Sequence, residues 1–224
     1  MDHDALRQKI RARLPRAAGR SWYEIKNATS DRATVRIYDE IGFFGVSAED
    51  FARELQNVTA AEVEVQINSP GGEVFDGIAI YNALRMHPAK VTTRVDGMAA
   101  SIASVIVQAG DHRVMVSNSQ MAIHEAWGLA IGPAGDMREM ADLLDRQSDV
   151  IAGIYAERSG RPAGEFRALM ATGDVYLTDA QAIEHGLADE IFTPERKTAN
   201  EVVVPIRAEI DPALHQFLER LERA

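Results

Sequence analysis

The chain has 224 residues, 46% of them hydrophobic and 26% charged, and it contains no cysteine. That length supports one sizeable core with tails, and the missing thiol excludes disulfide scaffolds, cysteine nucleophiles and cysteine-held zinc or iron–sulfur centres. A formal charge of −10 argues against general nucleic-acid binding, which needs a basic surface.

No apolar run approaches the roughly 20 residues of a membrane span. The first residues lack the apolar stretch of a secretory signal, so a cytoplasmic setting is expected. The charge is uneven. Residues 1–20 carry six Arg/Lys against two Asp, residues 21–194 carry 13 basic against 26 acidic, and residues 195–224 carry five against six. Three segments follow: a basic N-terminal tail over 1–20, an acidic central domain over 21–194, and a C-terminal extension over 195–224. In the first, Leu6, Ile10 and Leu14 stand four apart, as on an amphipathic helix or a solvated tail.

The middle of the chain alternates strand-like and helix-like runs, the α/β pattern. Ala33–Ile41 reads as a strand. Ser47 with Asp50 opens a helix through a capping box, with Phe51 and Leu55 on its apolar face. Glu62–Asn68 alternates into a strand, Ser69-Pro70-Gly71-Gly72 breaks it, and Val74–His87 is helical until Pro88 stops it. Lys90–Val95 is the next strand, Gly97 turns the chain, and Ala99–Ala109 reads as a buried apolar helix. Arg113–Val116 and Met121–His124 are short strands, and Pro133–Arg158 is a long helix striped by Met137, Met140, Leu144, Ile151 and Ile154. Ala163–Met170 is a further helix. Thr178 with Gln181 caps Asp179–His185, and Gly186 ends it. Leu187–Phe192 is the last strand of the domain, and Asp211-Pro212 starts an amphipathic terminal helix.

Two turns carry the chemistry. The Ser-Pro-Gly-Gly turn joins a strand to a helix, and amides freed there suit an oxyanion, although a tight structural turn explains the same residues. In Asp96-Gly97-Met98-Ala99-Ala100-Ser101-Ile102-Ala103-Ser104 a strand ends and a helix begins. Ser101 falls in the first turn, where the helix dipole favours developing negative charge, and a capping role is the alternative. Ser104, one turn deeper, is expected to bond its own helix backbone. A serine nucleophile needs a base. Among His3, His87, His112, His124, His185 and His215, the first and last lie in tails. His87 and His185 end helices and His112 follows a turn signal, whereas His124 closes a strand. Asp174 is one of many acids available to orient it, and composition does not select it.

The order Ser-Pro-Gly-Gly, Gly-Met-Ala-Ala-Ser, Met-Ala-Ile-His and then Asp-Val-Tyr-Leu-Thr-Asp-Ala-Gln-Ala-Ile-Glu-His-Gly-Leu-Ala-Asp-Glu-Ile resembles the ClpP serine peptidases over roughly Ala33 to Phe192. The resemblance implies the α/β ClpP/crotonase-like fold of repeated β-β-α units with a long handle helix over 133–158. It implies Ser101 as nucleophile, His124 as general base, Asp174 as orienting acid, and the amides of Gly72 and Ile102 as oxyanion hole. It implies a serine endopeptidase that needs no metal or other cofactor, takes polypeptide substrates, and assembles into homo-oligomeric rings.

The chain departs from housekeeping members at Glu125-Ala126-Trp127-Gly128-Leu129-Ala130 and in its basic N-terminus. Ser21-Trp22-Tyr23-Glu24-Ile25-Lys26-Asn27 resembles phage and prophage ClpP-like head maturation proteases instead. That likeness points to scaffold and major capsid proteins as substrates inside a procapsid, and it argues against an ATP-driven unfoldase partner. The alternatives are a housekeeping ClpP subunit working with such an unfoldase, a crotonase-type acyl-CoA enzyme, and a non-catalytic assembly scaffold. Labelling of Ser101 by a covalent serine probe separates the acyl-CoA reading, and assembly without cleavage separates the scaffold.

Overall fold

The computed structural model describes residues 21, 23–27, 31–42 and 47–195. The helix expected around Leu6 to Leu14, the one expected from Asp211, His3 and His215 lie outside these residues. Strands β1 (Tyr23–Asn27) and β2 (Arg32–Ile37) lead to helix α1 (Ala48–Leu55), whose Ser47–Asp50 capping box is formed in both directions. Then come β3 (Glu62–Ser69), α2 (Val74–Met86), β4 (Lys90–Ala100), α3 (Ile102–Val107), β5 (His112–Val116) and β6 (Gln120–Ile123). The long helix α4 spans Ala134–Ser159 and is followed by α5 (Ala163–Met170), β7 (Val175–Thr178), α6 (Asp179–Glu184) and β8 (Glu190–Phe192). The α/β architecture and its long helix are those expected.

One eight-stranded sheet runs β1-β2-β3-β4-β5-β8. It is parallel from β2 onward, with β1 antiparallel at the edge. Strand β4 has two partners in succession: Thr92–Val95 pair with β5, and Met98–Ala100 pair with β6, which in turn pairs antiparallel with β7. Between the two halves the register against β3 shifts, from Ile67 opposite Val95 to Ser69 opposite Ala99. Gly97 sits at this irregularity, where a Cβ would lie 2.7 Å from Asn68 Oδ1, and Asn68 Oδ1 accepts the Met98 N–H at 3.1 Å. Such a bulge bends the strand and re-aims its end.

This pairing corrects the sequence reading of Ala99–Ala109. Ala99 and Ala100 remain in β4, and the helix is only Ile102–Val107. Apolar runs do not distinguish a buried strand from a buried helix, and β6 supplies the ladder. His112, expected in a turn, begins β5 and meets Glu190 of β8. Strand β1 carries no element in the sequence reading. The last strand is shorter than Leu187–Phe192, because Leu187 N–H instead closes α6 by donating to Ala182 O at 2.8 Å.

The core lies between the sheet and α1–α3, where Val35, Ile37, Val63, Val65 and Ile67 meet Phe51, Leu55, Ile80, Leu84 and Ile106. The opposite face of β2–β4 is polar. Arg32 pairs with Glu64 at 2.7 Å, Arg94 with Glu64 and with Asp96 at 2.6 Å, and Arg36 donates to Gln66 at 2.9 Å. A parallel sheet is usually buried on both faces; here charge-assisted hydrogen bonds satisfy one of them.

Candidate active site

Three of the expected site residues, Gly72, Ser101 and His124, gather beyond the carboxyl ends of β2, β3, β4 and β6, the edge where open α/β sheets bind ligands. After β3, Gly71 and Gly72 have φ of +100° and +147°. A Cβ on Gly72 would lie 2.1 Å from Ile41 O, and one on Gly71 would lie 2.6 Å from Ser101 Cβ and 3.3 Å from Ile102 N. Both positions therefore require glycine. Ile41 N–H donates to Gly71 O at 2.8 Å, and Glu73 N–H donates to Ile41 O at 3.0 Å. Neither bond uses the Gly72 N–H. The Ser69 hydroxyl braces the turn, donating to Asp39 O at 2.7 Å and accepting from Gly71 N–H at 3.1 Å.

Ser101 is the junction between β4 and α3, with φ 54° and ψ −131°. An L-residue holds such a backbone at a cost of about 1–3 kcal/mol, and only when its surroundings enforce it. The enforcement is visible on both sides. Ser101 N–H donates to Ala122 O of β6 at 2.9 Å, and Ser101 O accepts from Ser104 N–H at 3.0 Å and from Ser104 Oγ at 2.5 Å. Ser104 Oγ also meets the buried Tyr155 hydroxyl of α4 at 2.7 Å. Ser104 thus bonds its own helix backbone, as expected, and adds a tie to α4. Ser101 lies before the first turn and not within it. With six residues, α3 has little dipole to offer, so the strained strand-to-helix turn is what presents the hydroxyl. Ile102 is buried, with its side chain against Gly77 of α2.

His124 follows β6 directly and is half-buried. Its Nδ1 lies 2.6 Å from Glu125 O. A carbonyl only accepts, so Nδ1 carries the proton and Nε2 is left with the lone pair of a base. Arg167 of α5 holds Glu125, at 2.5 Å from its carboxylate, and also reaches Asp149 of α4 at 2.8 Å.

Ser101, His124 and Gly72 line one cavity of about 170 Å³, together with Glu40, Pro70 and Trp127. No hydrogen bond joins Ser101 Oγ to the His124 ring among the described residues. Asp174 precedes β7, where continuation of the Ile123–Val175 register sets it across from His124. It is exposed, does not line the cavity, and makes no hydrogen bond or ion pair among the described residues. The sequence reading missed Glu40 and the carbonyl of Glu125. The first had a readable signal, its position at the end of a parallel strand; the second had none, since every residue has a carbonyl. A separate cavity of about 110 Å³, lined by Arg161, Glu165, Phe166, Leu169 and His185, contains no serine. Among the described residues no group of three or more His, Asp or Glu is placed to hold a metal, and no helix is long and apolar enough to cross a membrane.

Residues 17–195 match the family model described as Clp protease. The chain is 35% identical over 139 residues to an ATP-dependent Clp protease proteolytic subunit of Dehalococcoides mccartyi strain 195, covering 61% of this chain and 69% of that protein. The subunit of the same description from Deinococcus radiodurans is 32% identical over 138 residues, covering 61% and 67%.

Proposed function

The chain belongs to the Clp protease family and is a serine-type peptidase, and on that premise we propose that Ser101 is its nucleophile and His124 its general base. The observation that carries this is the shared cavity, lined by a serine held on a strained turn, a histidine whose Nε2 has no partner among the described residues, and Gly72, whose N–H has none among them either.

Ser101 Oγ bonds to the carbonyl carbon of a peptide while its proton passes to His124 Nε2. The amides of Gly72 and Ile102 hold the oxyanion. His124 then protonates the leaving amine as the C–N bond breaks, and water hydrolyses the acyl-enzyme by the same steps. Asp174 stabilises the imidazolium once the ring turns from Glu125 O toward it. Ser101→Ala is expected to lower kcat by about a million-fold, the loss of a serine-protease nucleophile. A fluorophosphonate probe should label the parent at Ser101 and the variant not at all. Labelling elsewhere, or an active alanine variant, would falsify the assignment.

The substrates in this reading are polypeptides, presented to homo-oligomeric rings, and among them the scaffold and major capsid proteins of a phage head. The residues around Tyr23–Asn27 and the segment after His124 support the processing role. The description of the relatives as ATP-dependent proteolytic subunits supports a second reading, degradation with an unfoldase. Co-expression decides between them: discrete cleavage of capsid or scaffold protein supports the first, and degradation only with an added ATPase the second.

A further inference from the structure

We infer that Glu40 makes this site select a cationic side chain, lysine or arginine, next to the bond it cuts. The inference rests on Ser101 being the nucleophile. Of the cavity's six lining residues Glu40 is the one carboxylic acid, and its carboxylate makes no ion pair or hydrogen bond among the described residues. The nearby cations are committed elsewhere. Arg94 is held by Glu64 and Asp96, and Arg36 by Gln66 with Glu24 at 4.0 Å.

Glu40 is also fixed in place. Its own N–H donates to Asp39 Oδ1 at 2.9 Å, the preceding Asp39 O accepts the Ser69 hydroxyl, and the following Ile41 is bonded on both sides to the Gly71–Glu73 turn. The turn that offers the Gly72 amide therefore also fixes the main chain from which this carboxylate reaches the cavity. Across the same lining stands Trp127, 77% exposed. A carboxylate and an open indole together favour a cation, by charge and by the ring's negative face. They penalise a second carboxylate and offer an apolar side chain only the indole. A lysine or arginine side chain and the free amine of a peptide terminus share this chemistry. The side chain is the source proposed, because an endopeptidase meets it wherever the chain is threaded.

The test uses N-acetylated aminoalkyl phosphonate probes carrying lysine-like, norleucine-like or glutamate-like side chains. Each labelling rate at Ser101 is taken relative to that of a small uncharged fluorophosphonate on the same protein. The full chain should react with the lysine-like probe about tenfold faster than with the norleucine-like one, a ratio of the size a single well-placed charge gives. The glutamate-like probe should be slowest. Glu40→Gln should flatten the series, Glu40→Arg should reverse it, and raised salt should shrink the parent's preference. A preference for the apolar or acidic probe in the parent, or a series unchanged in both variants, overturns the inference. A preference that appears only when the acetyl group is removed assigns the carboxylate to a chain terminus and also overturns it. Failure of the small fluorophosphonate to label Ser101 in the parent strikes the peptidase assignment instead, so the two failures are distinct.

Discussion

At Ser101 and His124 the backbone does as much as the side chains. The left-handed turn at Ser101 is held from β6 through its N–H and from α3 and α4 through its carbonyl, so the hydroxyl is presented without help from a long helix. His124 has its tautomer set by Glu125 O, yet a carbonyl cannot neutralise an imidazolium. In the proposed mechanism that leaves work for Asp174, which the β6–β7 register carries to the adjacent position. Asp174→Asn is expected to lower kcat by about ten-thousand-fold, as loss of the triad acid does elsewhere, while fluorophosphonate labelling slows without changing its site. A mild loss in steady-state peptide hydrolysis would show that Glu125 O alone orients the ring. The sequence distinguishes His124 because a strand end is a rigid mount. It cannot distinguish Asp174, because pairing between β6 and β7 is non-local. Glu40 stands just past a readable strand, but its place beside Gly72 depends on a turn some thirty residues further along the chain.

Among the elements, those with local signals are legible and those fixed by distant pairing are not. The Ser47 and Thr178 capping boxes and the αL glycine at 186 are all formed as their residues suggest. The division between β4 and α3 is not readable, because only β6 makes Met98–Ala100 a strand. Helix α4 is informative in a different way. An apolar stripe on such a helix can pack on its own sheet or against another subunit. Ile151, Ala152 and Tyr155 are buried, while Met137 at the other end is 40% exposed. Met140 and Leu144 lie against Gly128 in the segment that displays Trp127, Leu129 and Ile131. The stripe thus divides, with its C-terminal part buried in the core and its N-terminal part left partly open beside the Trp127–Ile131 segment. A helix of 26 residues, about 39 Å long, with such an open apolar surface beside it presents the kind of patch that marks an interaction site. Light scattering should find an oligomer, and Leu129→Asp with Ile131→Asp should reduce it to smaller species. A monomer in the parent protein would remove ring assembly.

Across the whole molecule, one buried polar network joins α3, the helix that follows Ser101, to the segment leading into β8. Arg113, 5% exposed, donates to Asp189 through its backbone N–H and guanidinium, and to Gly186 O and Gln108 Oε1. Gln108 in turn donates to Ser104 O and Leu187 O at 3.2 Å, so the network reaches the residue that holds the Ser101 carbonyl. Burial alone would raise the Asp189 pKa, but the Arg113 hydrogen bonds and charge outweigh it and hold the carboxyl below its ordinary range. A depressed carboxyl adds stability above its unfolded pKa and loses it as pH falls through the folded value. Asp189→Asn leaves the Arg113 charge without its counterion. Removing one partner of a fully buried pair costs about 3–5 kcal/mol. Asp189 is 32% exposed in its side chain, so the expected loss near neutral pH is smaller, about 2 kcal/mol. Below the folded pKa the parent's own Asp189 is protonated and uncharged, as the amide is. The gap in urea midpoint between parent and variant, measured at one protein concentration, should therefore be widest from neutral pH down to about pH 5 and should close as the acid range is entered. A gap of constant size down to about pH 2 would mean that Asp189 contributes through shape and neutral hydrogen bonding, and that its charge is not what secures Arg113 against the end of α3.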